Sequence, residues 1–270
     1  MAETTAIAIN GAMGRMGMQI AKLLLEDPSC SIAAVVERKG HPSVGTDFGT
    51  LTSGRKSGIS VSDDFGGIAG KIDCIIDFSA PVSTLSVLRY ARGSHIPMII
   101  GTTGFSKLEL ETIDRAGGEI AIVVAPNMSV LMNIVFKIVG LSAQVLGSGY
   151  DAEIVELHHR NKVDAPSGTA LMLADIIARA YKRPLEELAR YDRHGAVGAR
   201  HSGEIGIQAL RGGDIVGEHT VMFIGSGERL EITHRTTSRE NFAQGAVLAA
   251  KWVTGKTPGI YTMSDVLGLK

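Results

Sequence analysis

The chain has 270 residues, with 27 Lys and Arg against 28 Asp and Glu and a formal net charge of −1. That balance excludes the strongly basic surface that a phosphate backbone requires, so we expect no nucleic-acid partner. The length suits two modest domains, and the 33 glycines indicate many tight turns of the kind that hold ligands.

The two cysteines and the N-terminal segment bear on the compartment. Cys30 and Cys74 lie in apolar, strand-like stretches without metal-ligand spacing, so we expect free thiols in a reducing compartment. Residues 1–10 carry no basic region and too short an apolar run for a signal peptide. No apolar run approaches the roughly 20 residues that a membrane span needs. We therefore expect a cytoplasmic protein without a membrane partner.

Short apolar runs alternate with amphipathic ones through the first half of the chain. Predicted strands cover residues 5–10, 31–38, 72–79, 97–104 and 119–127. The segments between them favour helices, and Pro81 suits the first turn of one of these. Nearly all-apolar strands alternating with helices indicate a parallel sheet covered on both faces. Right-handed crossovers then give a Rossmann-like, doubly wound fold.

The pattern changes after about residue 130. The predicted elements are a long apolar helix, a strand, a helix capped by Ser167, a long loop and a strand-rich segment, at residues 129–147, 151–159, 167–182, 183–202 and 203–237. Glycine-rich turns at 212–214 and 225–227 separate what we predict to be neighbouring antiparallel strands.

A helix at 238–255, capped by Ser238, and a terminal strand at 259–268 are predicted to return to the first domain. The resulting α/β architecture has a dinucleotide-binding domain, residues 1–129 with 240–270. It is followed by a second α/β domain with a mixed or antiparallel open sheet, residues 130–239.

A glycine-rich stretch, GAMGRMG at residues 11–17, follows the first predicted strand and opens a predicted helix. Gly11 suits the tight turn, Gly14 a close approach of backbone to a pyrophosphate, and Gly17 close packing of helix on strand. The helix N-terminus offers N–H groups to the phosphates, and Arg15 adds a charged donor. We predict a dinucleotide site; a tightly packed turn that binds nothing is the alternative.

Two charged residues at the end of the second predicted strand bear on the cofactor. Glu37 lies where an acidic residue takes the ribose hydroxyls of NAD, about 20 residues beyond the glycines. Arg38, the next residue, suits the 2′-phosphate of NADP. Because both are present, the sequence does not choose between the cofactors, and we expect dual use of NADH and NADPH.

The segment ELHHRNKVDAPSGTA, residues 156–170, concentrates groups that carry chemistry. Side chains alternate along a strand, so His158 and His159 should point to opposite faces, which disfavours a shared metal ion. With no cysteine nearby and no H-x-x-x-H spacing, we expect no metal site.

The same segment joins positive charge to a predicted helix start. Lys162 and Arg160 precede a helix N-terminus at residues 167–169, an arrangement suited to a ligand with more than one carboxylate. Histidine exchanges protons near neutral pH, and lysine acts as a proton donor or, as the free amine, a nucleophile. The alternative is a solvated polar loop with a helix cap and no functional role.

The pattern E-x-H-H-x-x-K-x-D-x-P-S-G-T-A resembles the signature of the dihydrodipicolinate reductase family. Shorter matches occur in the same order along essentially the whole chain, at residues 11–17, 37–38, 77–79, 101–104 and 125–128. Asn161 departs from the pattern, because some relatives carry histidine there, which puts substrate contacts from that position in doubt.

The resemblance implies a Rossmann-like cofactor domain, a mixed α/β domain for substrate and tetramer formation, and hydride delivery from NADH or NADPH to a cyclic dicarboxylate. His158 and Lys162 would be the proton donors. The substrate carboxylates would be held by His159, Lys162, Gly168 and Thr169. The cofactor would be bound by Gly11, Ala12, Met13, Gly14, Arg15, Met16, Glu37, Arg38, Gly101, Thr102, Thr103, Ala125, Pro126, Asn127 and Met128.

Two other functions compete with this enzyme. The first is another NAD(P)-dependent reductase of a small acid, such as a semialdehyde or homoserine dehydrogenase. Semialdehyde chemistry uses a thiolate, and no cysteine lies in a reactive setting. The second is a catalytically silent dinucleotide sensor, which would keep the glycines and Glu37 but would have no need for His158 with Lys162.

Overall fold

The computed structural model describes residues 4–68 and 70–269. In chain order its strands are β1 Thr5–Asn10, β2 Cys30–Val36, β3 Val61–Ser62, β4 Cys74–Asp77, β5 Met98–Ile100, β6 Ala121–Val124, β7 Asp151–His158, β8 Ala189–Arg190, β9 Ile205–Arg211, β10 Gly217–Ile224, β11 Arg229–Thr236 and β12 Gly259–Tyr261. Its helices are α1 Arg15–Glu26, α2 Phe48–Ser53, α3 Pro81–Gly93, α4 Lys107–Ala116, α5 Val130–Leu146, α6 Gly168–Ala180, α7 Leu185–Leu188, α8 Glu240–Val253 and α9 Met263–Val266. The chain forms two compact units; the first ends at Val130 and resumes at Glu240, and the second is Leu131–Arg239.

The first unit is built on a seven-stranded sheet in the order β12-β6-β5-β4-β1-β2-β3, and every strand pair in it is parallel. From the centre, successive strands run outward in both directions, so the strand order reverses between β1 and β4. Ligands of open α/β sheets bind beyond the carboxyl ends of the strands at such a reversal. The predicted doubly wound parallel sheet is confirmed, and its strand order reverses at β1 and β4.

Alternation along these strands explains why they are almost wholly apolar. In β4, Ile76 packs into one buried cluster with α1 and α8, while its neighbour Ile75 packs into a second cluster with α3 and α4. A strand covered by helices on both faces needs apolar side chains at every position. Pro81 is the first residue of α3, as predicted, because proline has no N–H to lose at a helix start.

The second unit contains a five-stranded mixed sheet in the order β11-β10-β7-β9-β8. Strand β7 is parallel to β9 and antiparallel to β10, and β10 is antiparallel to β11. The predicted turn at 225–227 therefore does join paired antiparallel strands. The turn at 212–214 does not, because β7 lies between β9 and β10. A turn motif indicates that the chain reverses, whereas strand pairing depends on the distant β7.

Two short segments also differ from the sequence-based prediction. The predicted loop 183–202 contains α7 and β8, which are too short to leave a periodic signal. The predicted terminal strand 259–268 stops at Tyr261. There Thr262 and Asp265 form a reciprocal capping box, which begins α9 and ends the extended backbone.

The long apolar helix also corrects an expectation. Together with the 3-10 turn that follows α5, the segment Val130–Gly149 has 20 residues and is apolar enough, by length and composition, to cross a membrane. The statement that no apolar run approaches that length was wrong. Met132, Val139 and Ala143 of this helix pack in the core of the second unit. Because core helices of soluble proteins pass the same test, the segment is weak evidence for a membrane span.

Gly245 provides a test of packing in the first unit. It is buried in the middle of α8, where an added Cβ would overlap the carbonyl oxygen of Met128. We expect Gly245→Ala to lower the free energy of unfolding by about 1–3 kcal/mol, because the helix must move away from rigid backbone. Urea denaturation followed by circular dichroism measures the change.

The matched control is Gly93→Ala, at the exposed end of α3, where an added Cβ meets nothing within 4 Å. This variant should be as stable as the parent protein or slightly more stable, because alanine favours a helix over glycine. An equal loss of stability in both variants would contradict the close-approach explanation.

Candidate active site

Strand β7 delivers two polar side chains to the buried side of the second unit. Every second residue of this strand is buried, and the set ends in Glu156 and His158. Glu156 is completely buried and His158 is 8% exposed, whereas His159 beyond the strand end is partly exposed. The sheet register places Arg211 of β9 opposite His158 and His219 of β10 opposite Glu156. Three strands thus bring four polar side chains together on one face.

Glu156 is the most heavily bonded of these side chains. Its Oε2 lies 2.5 Å from Nδ1 of His158, and its two oxygens accept bonds from the two terminal guanidinium nitrogens of Arg211, each at 2.9 Å. Oε1 also accepts from the backbone N–H of Ser167 at 3.1 Å. Burial acts to raise the pKa of Glu156, but the bonds from Arg211, His158 and Ser167 outweigh it and hold that pKa below its ordinary value.

His158 has one nitrogen committed and one open. Nδ1 bonds Glu156, and within the described residues no protein group bonds Nε2. Burial is the largest influence and keeps the pKa of His158 below its ordinary value, with Lys162 and Arg211 acting in the same direction and Glu156 opposing them. The ring of His219 stacks edge-on against His158, with 5.2 Å between centroids.

His219 is held neutral against the start of α6. Burial is the main cause that lowers the pKa of His219 to about 3. Its Nε2 lies 3.0 Å from the hydroxyl oxygen of Ser167, and that oxygen accepts from the N–H of Ala170. Ser167 therefore caps α6, as predicted, and its hydroxyl also hydrogen-bonds the ring of His219. The helix cap Ser167 and His219 are therefore linked by a direct hydrogen bond.

The loop between β7 and α6 carries the positive charge. Lys162 Nζ bonds both oxygens of Asp164 at 2.8 Å, which holds the pKa of Asp164 below its ordinary value. Arg211 donates to the Asp164 backbone carbonyl at 2.6 Å. Gly168, the first residue of α6, is exposed, and an added Cβ there would meet nothing within 4 Å. Cations and an open helix N-terminus therefore lie together, an arrangement that attracts carboxylates.

The predicted substrate-site residues lie in one continuous segment of the second unit. His158, His159, Lys162, Gly168 and Thr169 all belong to the segment joining β7 to the first turn of α6. Asn161 is exposed in the same loop. We did not predict Glu156, Arg211 or His219 as site residues. The alternation of inward and outward positions along β7 could have indicated Glu156, because it falls in the buried set with Ile154 and His158. No local sequence pattern marks Arg211 or His219.

In the first unit, the glycine-rich turn has the shape a dinucleotide needs. Gly11 has φ +76°, and an added Cβ would lie 2.5 Å from the Phe78 carbonyl oxygen. A Cβ on Gly17 would overlap the backbone of Gly11. Gly14 is the N-cap of α1, whose first turn contains no acidic residue. No acidic side chain of the helix itself therefore opposes its positive N-terminus, which fits a pyrophosphate.

Glu37 and Arg38 follow the end of β2 beside that turn. The Glu37 carboxylate accepts from the N–H of Met13 at 3.2 Å and of Arg38 at 3.0 Å. This places an acidic group next to residues 11–16, where ribose hydroxyls are bound in Rossmann folds. Arg38 itself is exposed, so its guanidinium is accessible to a 2′-phosphate.

The remaining predicted cofactor residues follow β5 and β6. Thr102 is buried, and its hydroxyl donates to Asp77 at 2.7 Å and accepts from the N–H of Ser79 at 2.8 Å. That hydroxyl is committed to the fold, so Thr102 offers a cofactor its backbone. An added Cβ on Gly101 would overlap the Phe78 ring. Residues 101–103 and 125–128 follow neighbouring strands at the carboxyl edge of the sheet, as the prediction requires.

The described residues, 4–68 and 70–269, contain no group of three His, Cys, Asp or Glu side chains placed to hold a metal ion.

Comparison with known proteins identifies close relatives. The family model described as "Dihydrodipicolinate reductase, N-terminus" matches residues 5–128, and the one described as "Dihydrodipicolinate reductase, C-terminus" matches residues 132–267. A 4-hydroxy-tetrahydrodipicolinate reductase of Anaeromyxobacter dehalogenans is 47% identical over 98% of both chains. One of Syntrophobacter fumaroxidans is 46% identical over 97% of this chain and 98% of the relative.

Among solved structures, a dipicolinate-bound dihydrodipicolinate reductase from Paenisporosarcina sp. TG-14 superposes with a TM-score of 0.74. It covers 96% of this chain and 97% of its own, at 24% identity. That structural likeness shows the fold, while the sequence relatives show the family.

Arg38 offers a test of the cofactor site. We expect Arg38→Ala to weaken NADPH binding by about tenfold and to leave NADH binding within about twofold, because the lost charged hydrogen bond serves only the 2′-phosphate. Fluorescence titration with each cofactor measures both affinities. Lys22→Ala, an exposed cation on α1, should change neither. An unchanged ratio of the two affinities in Arg38→Ala would remove Arg38 from cofactor selection.

Proposed function

The chain belongs to the dihydrodipicolinate reductase family of NAD(P)H-dependent oxidoreductases, and we propose that His158 and Lys162 are the proton donors of its reaction. The protein is a 4-hydroxy-tetrahydrodipicolinate reductase. It reduces a cyclic dicarboxylate imine to tetrahydrodipicolinate in lysine and diaminopimelate biosynthesis. One observation supports the proposal above all others: a histidine with an open Nε2 lies beside a lysine and a helix N-terminus.

The reduction needs both a hydride and a proton. Residues 11–16, Glu37, Arg38, 101–103 and 125–128 would hold the nicotinamide cofactor, which would supply the hydride. Adding a hydride to a conjugated imine leaves an electron-rich, enamine-like product that must gain a proton. His158 Nε2 is the atom that donates it, because Nδ1 is bonded to Glu156.

Binding of the substrate changes the pKa of His158. In the free protein, burial keeps the pKa of His158 below its ordinary value, so the ring is largely neutral at pH 7. Two substrate carboxylates bound beside the ring favour the charged imidazolium and raise that pKa. The donor is therefore charged when substrate is present, and it remains acidic enough to give its proton away.

Four groups hold the two carboxylates. The backbone N–H groups of Gly168 and Thr169, at the positive end of α6, donate hydrogen bonds to one carboxylate in the manner of other helix N-termini. His159 and the ammonium of Lys162 provide charged or polar donors for the other. Lys162 is paired with Asp164, so substrate binding exchanges one carboxylate partner for another.

The cofactor site serves both nicotinamide nucleotides. Glu37 provides an acceptor for the ribose hydroxyls of NADH, and Arg38 provides a cation for the additional phosphate of NADPH. A carboxylate and a guanidinium side by side reduce discrimination, since each favours one of the two cofactors.

The semialdehyde alternative is disfavoured by the cysteines. Both Cys30 and Cys74 are buried, and burial raises the pKa of each thiol. A thiolate nucleophile is therefore not accessible at either position. The resemblance to an aspartate semialdehyde dehydrogenase II from Vibrio cholerae, with a TM-score of 0.51 at 10% identity, concerns the fold alone.

We further propose a cytoplasmic homotetramer that binds neither nucleic acid nor membrane. The near-neutral net charge supports the absence of a nucleic-acid partner. Leu210 is 47% exposed and pairs with Leu157 on the face of the second unit's sheet opposite to Glu156 and His158, which supports an interface on that face. Sedimentation at equilibrium measures the assembly; a monomer would contradict it.

The activity is tested by a coupled assay. Aspartate semialdehyde and pyruvate are condensed by the upstream synthase, and oxidation of NADH or NADPH is followed at 340 nm, about the wavelength at which reduced nicotinamides absorb. We expect oxidation with both cofactors. Absence of oxidation with either one would reject the proposed function.

Lys162 gives the test of the donor assignment. We expect Lys162→Ala to lower kcat by about 100-fold or more, in the range of a lost acid catalyst, while NADH affinity stays within about threefold. Steady-state kinetics and NADH titration measure the two quantities. Lys137→Ala, an exposed lysine on α5, should leave both unchanged. An equal loss of NADH binding would assign Lys162 to the cofactor site instead.

A further inference from the structure

The buried carboxylate of Glu156 has more partners than a structural side chain needs. It is completely buried, yet it bonds the proposed proton donor, a guanidinium and the backbone where α6 begins. A buried charge is tolerated only where it is paired and hydrogen-bonded. An apolar residue would fill this strand position at lower cost to folding, so the carboxylate points to a role in the reaction.

We propose that Glu156, clamped by Arg211, is a positioning residue that fixes the tautomer and orientation of the His158 ring. The inference rests on the proposed function, since it assigns a task to a residue that acts only through the proposed proton donor. Neither Glu156 nor Arg211 needs to touch the substrate for this task.

The hydrogen bonds of the Glu156 carboxylate determine the tautomer of His158. An ionised carboxylate only accepts hydrogen bonds, so the contact of 2.5 Å requires a hydrogen on Nδ1 of His158. Arg211 and the Ser167 N–H are donors to the same two oxygens, which keeps the carboxylate ionised. Nε2 is then the only ring atom that can exchange a proton with a substrate.

Gly217 keeps that nitrogen accessible. An added Cβ on this residue, the first of β10, would lie 3.0 Å from Nε2 of His158. Any larger side chain here would therefore cover the edge of the ring that must face the substrate. The ring is held at Nδ1 by charge and left open at Nε2 by the absence of a side chain.

Arg211 limits how strongly Glu156 stabilises the charged form of His158. A carboxylate alone would strongly stabilise the imidazolium and make it a poor acid, whereas a neutralised carboxylate orients the ring with less stabilisation. The charged and titratable groups facing His158 are Glu156 on its own strand, Lys162 in the loop, Arg211 on β9 and His219 on β10. His219 stays neutral, so Arg211 and Lys162 leave one positive charge in excess of Glu156, and Asp164 is the carboxylate that pairs Lys162 before substrate arrives.

The test is Glu156→Gln, which keeps the side-chain size and removes the charge. We expect kcat to fall by about 100-fold, with the KM for substrate within about threefold, because the binding groups lie elsewhere. The alkaline limb of the kcat/KM profile should move to lower pH by about one unit, because the group that raises the pKa of His158 is gone. Glu231→Gln, which breaks an exposed Glu–Arg pair on β11, is the matched control and should behave as the parent.

A second measurement needs neither turnover nor a variant at position 156. In 15N-histidine NMR spectra of the resting protein, assigned with His158→Asn, we expect the Nδ1–H tautomer of His158. This result stands even if Glu156→Gln fails to fold, and it is independent of whether the coupled assay detects activity. A failed assay would therefore reject the proposed function, while the tautomer measurement would separately decide whether Glu156 fixes the His158 ring.

Any of three outcomes would overturn the inference. The first is an Nε2–H tautomer in the resting protein. The second is a Glu156→Gln variant that loses activity while its pH profile and the His158 tautomer stay those of the parent, which would make Glu156 merely structural. Parental kcat in Glu156→Gln would equally reject the role.

Discussion

A buried negative charge organises the second unit. Glu156 lies on an inward position of β7, and its ionised oxygens need donors that only neighbouring elements supply. Arg211 comes from β9, Ser167 from the start of α6, and His158 from two residues further along β7. Because removing any one partner would leave part of a buried charge unpaired, the pairing of the strands and the start of the helix depend on one another. The open face of His158 follows from this arrangement.

The first unit solves the same problem without a cation. Asp77, completely buried at the end of β4, accepts hydrogen bonds from Asn10, Ser79, Thr84 and Thr102. Neutral donors hold the turns that follow β1, β4 and β5 in place, and they add no positive charge to the sheet edge. The N-terminus of α1 is then the positive group at this edge to which we assign the phosphates, whereas the proposed carboxylate site in the second unit has a surplus of cations. Each buried acid thus matches the ligand expected in its own unit.

Features with short-range causes could be predicted from the sequence. The glycine turn, the Ser167 cap and the Pro81 helix start depend on a few consecutive residues, and strands buried on both faces leave continuous apolar runs. A mixed or antiparallel sheet was predicted for the second unit, but its strand order was not, since the turn at 212–214 marks a chain reversal without identifying β7 as the intervening strand. Arg211 and His219 lie more than 50 residues from Glu156 and Ser167, and only strand register brings them together.

This difference bears on how such motifs should be interpreted. The segment 156–170 contains the proposed donors, but two of the groups that control His158, Arg211 and Gly217, lie outside it on β9 and β10. A related chain could keep all fifteen residues of this segment and still lose His158 as a proton donor if Arg211 on β9 were replaced. The motif supplies the proposed proton donors; the register of β7 with its two neighbours decides whether Glu156 and Arg211 hold Nδ1 of His158 and leave Nε2 open.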